Sequence, residues 1–119
     1  MFRNIFQRNQ PATPAIRNIT PAELQAKIAA RESLVLIDVR SPEEYAQDGH
    51  IAGSRLMPLP MLATRLNEIP KHTPVICICR SGNRSRAACE VLAQHGFEVT
   101  NMSGGMMAWR QAGLPTKFK

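Results

Sequence analysis

The chain is poor in aromatic residues: one Trp, one Tyr and four Phe make up 5% of its 119 positions. No Lys/Arg cluster is interleaved with those few rings, so a stacking surface for nucleic acid has nothing to be built from. Long apolar runs are missing as well. Segments such as Leu34 to Ile37 are strand-sized, whereas a helix crossing a bilayer needs roughly 18 to 20 apolar residues. The opening Met1-Phe2-Arg3-Asn4-Ile5-Phe6 holds no uninterrupted apolar core and no small-residue cleavage site, which points to a cytoplasmic protein. Only three cysteines are present, Cys77, Cys79 and Cys89, with three scattered histidines, His50, His72 and His95. An odd, closely grouped cysteine set argues against a secreted disulfide framework. The lack of paired C-x-x-C or H-x-x-x-H spacing argues against a metal site. Acidic residues are absent before Thr20, where Arg3, Arg8 and Arg17 supply half of the net charge of +6. The remainder is only mildly basic, enough for a pocket that takes a small anion.

What is present fits one soluble domain. With 44% hydrophobic and 20% charged residues, the composition is that of a globular chain, and the length admits a single core. Residues 1–15 read as an N-terminal arm, flexible or docking, and residues 16–119 as the domain. Phe2, Ile5 and Phe6 fall at i, i+3 and i+4, and Asn9 to Pro14 forms a linker with two prolines. The arm is expected either to fray or pack on its own domain, or to dock on a partner subunit or an anionic lipid surface.

Thr20-Pro21-Ala22-Glu23 combines an N-cap, a proline at the first helical position and a glutamate three residues after the cap. It predicts a helix to about Arg31 that buries Leu24 and Ile28. Leu34 to Ile37, running into Asp38-Val39-Arg40, suits a central strand covered on both faces. Ser41-Pro42-Glu43-Glu44 repeats the capping pattern, with Asp48-Gly49 as the stop. A short extended segment is expected around Arg55-Leu56-Met57. Leu62, Leu66 and Ile69, at i, i+4 and i+7, predict one helix closed by Pro70. Val75 to Ile78 is a second buried strand. The next helix carries Ala88, Val91, Leu92 and His95 on one face and stops at Gly96; Phe97 to Thr100 is the last strand. Gly104-Gly105 opens a final helix with Trp109. Strands alternating with helices imply a parallel sheet between helical layers, with the chemistry at the carboxyl ends of the strands.

Just after Ile78 stands Cys79-Arg80-Ser81-Gly82-Asn83-Arg84-Ser85, a cysteine at a strand end, a short polar loop and then a helix. A free thiol with a pKa of about 8.5 is only a few per cent ionised at neutral pH. Arg80, Arg84 and Arg86, with the unpaired amides of the helix start, are expected to lower that value. Gly82 lets successive amides curl around an anion. Cys77, in an apolar run, and Cys89, among alanines, read as core.

These residues resemble the single-domain rhodaneses, the thiosulfate and persulfide sulfurtransferases. Leu36 to Tyr45, Gly49-His50-Ile51-Ala52-Gly53-Ser54, the Cys79 to Ser85 loop, and Ser103-Gly104-Gly105 with Trp109 are similar to successive signatures of that family, in order, from about Ile19 to Pro115. The resemblance implies an α/β fold with a five-stranded parallel sheet flanked by helices on both faces. It implies Cys79 as a nucleophile that carries a persulfide, and a donor-binding loop of Arg80, Ser81, Gly82, Asn83, Arg84 and Ser85. The donor would be a small sulfur anion, thiosulfate or a persulfide; the acceptor would be cyanide or a thiol, free or on a protein. No metal and no organic cofactor is implied. Ser81, Asn83 and Ser85 are expected to shape the loop or cap the helix. Asp38 and Arg40 are expected to fasten the strand end, and His50 to be hydrogen-bonded beneath the loop, although each has an alternative in catalysis. Three rivals stay open: a cysteine phosphatase of similar architecture, a protein-to-protein sulfur relay, and an inactive scaffold.

Overall fold

The computed structural model describes residues 15–118; the expectation for the arm therefore lies almost wholly outside the described residues. Five strands, β1 (Arg17–Ile19), β2 (Val35–Asp38), β3 (Arg55–Leu56), β4 (Val75–Ile78) and β5 (Val99–Met102), form one sheet in the order β1-β5-β4-β2-β3. Every pairing is parallel. The helices are α1 (Pro21–Ala29), α2 (Pro42–Gln47), α3 (Leu59–Leu62), α4 (Asn83–Gln94) and α5 (Gly105–Gln111), with a 3-10 turn at Leu66–Glu68.

The central strands are buried at every position, and alternate side chains go to opposite faces because the strand repeat is two. Val35, Ile37, Val75, Cys77 and Cys79 pack with Leu62 of α3 and Ala88, Cys89 and Leu92 of α4. Leu36, Ile76 and Ile78 pack with Leu24 of α1 and Met106 and Trp109 of α5. Helices thus cover both faces, as the apolar runs imply.

Capping fixes where α1 and α2 begin. Thr20 accepts from the Glu23 amide and Glu23 from the Thr20 amide; Ser41 and Glu44 do the same. Each box satisfies two otherwise unpaired amides. Three expectations are corrected. The helix over Leu62 to Ile69 is broken, because Arg65 leaves helical geometry at ψ 19° and the chain restarts as a 3-10 turn. Leu62 and Ile69 still reach the core, which is why the spacing looked helical. The final strand runs two residues later than Phe97 to Thr100, in register with β1 and β4. The helix α1 stops short of Arg31, which takes a positive φ of 58°. The first strand, three residues with one buried, carries too little pattern to be found alone.

Sheet order places the site. After β2 the chain moves out to β3, whereas after β4 it moves the other way to β5. The carboxyl ends of β2 and β4 therefore flank the point where the winding reverses, and loops diverging there leave a crevice.

Candidate active site

Cys79 follows β4 directly and Gly82 caps α4. Gly82 has φ 106°, a conformation open to glycine with little strain, and its amide donates to Cys79 Sγ at 3.0 Å. Ser85, in the first turn of α4 and buried, places Oγ 3.2 Å from the same sulfur. Burial pushes the Cys79 pKa up, but the Ser85 hydroxyl and the amides of Ser85, Gly82 and Ser81 outweigh it, and the thiol ends below its ordinary value. Cys77 shows the opposite balance: hydrogen bonding to Cys89, burial and the neighbouring thiols hold it well above the ordinary range. Cys77 and Cys89 are both fully buried, as expected of core thiols.

The arginines act differently from the sequence expectation. Arg84 is gripped by Glu44 of α2, Nη1 to Oε1 and Nη2 to Oε2, each at 2.7 Å. That fork, bridging the two sides of the crevice, holds the Glu44 carboxyl down to about 2. A thiolate at Cys79 still favours the charged guanidinium, after Glu44 itself, but much of the Arg84 field is neutralised by its partner. Arg80 and Arg86 are exposed. Backbone amides and one hydroxyl, rather than a ring of guanidiniums, hold the sulfur. Ser81 and Asn83 lie exposed on the rim.

The loop is anchored from behind by α5. Met106 N donates to Cys79 O at 2.8 Å and Met107 N to Arg80 O at 3.0 Å. These bonds turn the carbonyls away from the crevice. Gly105 makes the approach possible: a Cβ there would stand 2.5 Å from Cys79 O and from Arg80 C and O. Asn101 of β5 also enters the site, accepting from Ser85 Oγ at 2.5 Å and donating to Gly82 O at 3.1 Å. The sequence reading, which ends the strand at Thr100, leaves it out; an Asn directly after the strand-like Phe97 to Thr100, followed by Met102, is the signal that marks it.

Asp38 and Arg40 fasten the strand end, as expected. Arg40 Nη2 and Nε meet Asp38 Oδ2 and Oδ1 at 2.8 and 2.9 Å, and Nη2 also donates to Gly49 O at 2.8 Å. His50 is buried, stacks on Tyr45 with ring centroids 3.7 Å apart, and has Nδ1 2.9 Å from Tyr45 O. A carbonyl only accepts, so Nδ1 carries the proton. Among the described residues no group of three or more His, Cys, Asp or Glu could hold a metal ion, and no helix is long and apolar enough to cross a membrane.

Residues 20–112 match the Rhodanese-like domain family. A sulfurtransferase of Allochromatium vinosum is 40% identical over 101 residues, covering 84% of this chain and 94% of that protein. The thiosulfate sulfurtransferase GlpE of Pseudomonas putida is 31% identical over 91 residues, 76% of this chain and 82% of its own. In three dimensions, a rhodanese-related protein of Thermoplasma volcanium superposes with a TM-score of 0.80 at 32% identity, covering 87% of this chain and 99% of that one. A Rhodopseudomonas palustris protein of unknown function, described as a possible tyrosine phosphatase, superposes with a TM-score of 0.78 at 25% identity over 91% and 98% of the two chains. With its doubly covered parallel sheet, its cysteine loop at the winding reversal and a family match across 20–112, the chain belongs to the rhodanese-like domain family.

Proposed function

We propose that the protein is a sulfurtransferase in which Cys79 is the nucleophile and carries a sulfane sulfur as a persulfide. The observation behind this reading is the sulfur at the floor of a helix-capped loop, with Gly82 N at 3.0 Å and Ser85 Oγ at 3.2 Å. Donors placed this way favour the thiolate, the form that attacks. The relatives named as sulfurtransferases support the same class of chemistry.

The donor is a small sulfur anion, thiosulfate or a persulfide. The Cys79 thiolate attacks the outer sulfur of thiosulfate; the new S–S bond forms as the old one breaks, and sulfite leaves with that electron pair. The loop amides of Ser81 and Gly82 then face the anionic terminal sulfur. Arg80, exposed on the same loop, attracts the sulfonate. Cyanide or a thiolate, free or on a protein, next attacks the outer sulfur, and Sγ departs with the bonding pair. Both steps are two-electron displacements between sulfur atoms, with no demand for a metal or organic cofactor.

The phosphatase reading fits the loop less well. Cysteine phosphatases place an arginine six positions after the nucleophile, where this chain has Ser85. Arg84 comes one position early and is already bound at both nitrogens by Glu44. A tetrahedral phosphoryl group would lack its bidentate partner.

Brief exposure to thiosulfate followed by peptide mass spectrometry tests the proposal. One added sulfur is expected at Cys79, none in Cys79→Ser, and undiminished loading in Cys77→Ser. Loading retained by Cys79→Ser, or phosphate release from an aryl phosphate without sulfite release from thiosulfate, would overturn it.

A further inference from the structure

Ser85 has a single hydroxyl proton and two acceptors in reach. Cys79 Sγ lies at 3.2 Å and Asn101 Oδ1 at 2.5 Å. The amide of Asn101 has no freedom to turn. Its Nδ2 donates to Gly82 O at 3.1 Å and faces Asn18 Oδ1 at 3.4 Å, and a reversed amide would set two carbonyl oxygens against each other at Gly82. Oδ1 must therefore face Ser85, and as a pure acceptor it demands the Ser85 proton. Ser85, Asn101 and Cys79 are all buried.

We propose that Asn101 is a positioning residue for sulfur transfer: by accepting the only proton of Ser85 at the shorter distance, it draws that hydroxyl away from Cys79 whenever the inner sulfur is uncharged. Ionisation of Cys79 turns the hydroxyl toward Sγ and breaks the bond to Asn101. Loading of a sulfur atom removes the charge from Sγ and moves it to the terminal sulfur, so the hydroxyl returns to Asn101. Asn101 thus opposes the free thiolate and favours the loaded state. Its second bond steadies Gly82, whose own amide faces the sulfur, so one side chain governs two of the donors at the site.

The inference rests on Cys79 as the reacting sulfur, and it predicts a pH profile. Among the described residues, the ionisable groups coupled to Cys79 are Cys77 of β4 and Arg84, itself held by Glu44 and within the field of Asp38. None of them is altered in the test. The alkylation rate of Cys79 by iodoacetamide is followed against pH, site by site, by mass spectrometry; the buried Cys77 in the same tryptic peptide serves as the internal reference. Asn101→Leu is expected to lower the midpoint by about one pH unit, a roughly tenfold gain in thiolate below it. Ser85→Ala is expected to raise the midpoint. In the Ser85→Ala background, Asn101→Leu should no longer lower it, which a purely structural role would not produce. Equal lowering in both backgrounds, or no lowering in the first, would overturn the proposal. Should Asn101→Leu fail to fold, Asn101→Ser, whose hydroxyl is too short to reach Ser85, takes its place in the cycle. Alkylation needs no turnover, so its outcome is separate from the loading assay on Cys79→Ser that tests the proposed function.

Discussion

Replacing Glu44 by glutamine separates the two tasks of that residue. The variant Glu44→Gln keeps an oxygen to accept from the Ser41 amide, a bond of 3.0 Å in the native chain, so the capping box over α2 survives. The charge that grips Arg84 is lost. The native carboxyl falls from 4.5 to about 2, chiefly through its bonds to Arg84. At 1.36 kcal/mol per pKa unit this corresponds to about 3.4 kcal/mol before screening. The Arg84 side chain is 40% exposed and Glu44 22%, so solvent removes more than half, leaving about 1 to 1.5 kcal/mol. The sign follows from proton binding. Between pH 4.5 and about 2 the unfolded chain holds more protons on this group than the folded one, so the contribution is complete above the upper value and lost as pH falls through the lower. Urea denaturation of both proteins at fixed ionic strength measures it. The native chain should be more stable by about 1 to 1.5 kcal/mol at neutral pH, and the two curves should converge toward pH 2. A difference that stays constant with pH, or that is absent at neutral pH, would refute the assignment of the fork as the cause.

Gly105→Ala should disturb both fold and chemistry. Its φ of 57° and the backbone atoms 2.5 Å from the new Cβ imply a loss of about 3 kcal/mol in urea denaturation. The Cys79 loop must also shift, so loading from thiosulfate should fall by about a hundredfold in the protein that remains folded. Asp38→Asn leaves the buried Arg40 without a charged partner, and thermal unfolding should show a loss of about 3 kcal/mol or more. The rate of sulfur loading should rise with pH and level off below the pH at which an ordinary cysteine ionises, because the native thiol is held down by the loop donors against burial; stopped-flow measurement of sulfite release checks it.

Much of this architecture was legible because its signals are local. Thr20 with Glu23 and Ser41 with Glu44 announce their helices through hydrogen bonds spanning three residues, and the apolar runs of β2 and β4 need no partner to be recognised. The place of Cys79, between a buried strand and a polar, glycine-containing loop that opens a helix, was legible for a related reason, since each of its signals lies within a few residues. What escaped depends on residues far apart in the chain. The strand β1 exists because Arg17, Asn18 and Ile19 pair with Thr100, Asn101 and Met102. The Arg84 to Glu44 fork spans forty positions, and neither residue hints at the other. The same fork explains why charge counting around Cys79 overstated the guanidiniums. From sequence, Ser85 reads as a residue of the donor-binding loop that shapes the loop or caps the helix, and only the fold shows that it stands between the sulfur and Asn101.

The depth of Cys79 has a bearing on regiochemistry. The residue is 1% exposed and its sulfur is ringed by the loop that follows it. In the proposed loaded form two sulfur atoms are electrophilic, and attack at the inner one would expel hydrosulfide and leave a mixed disulfide, a dead end for transfer. The walls that close around Sγ hinder approach to the inner atom, so shape favours delivery of the outer one.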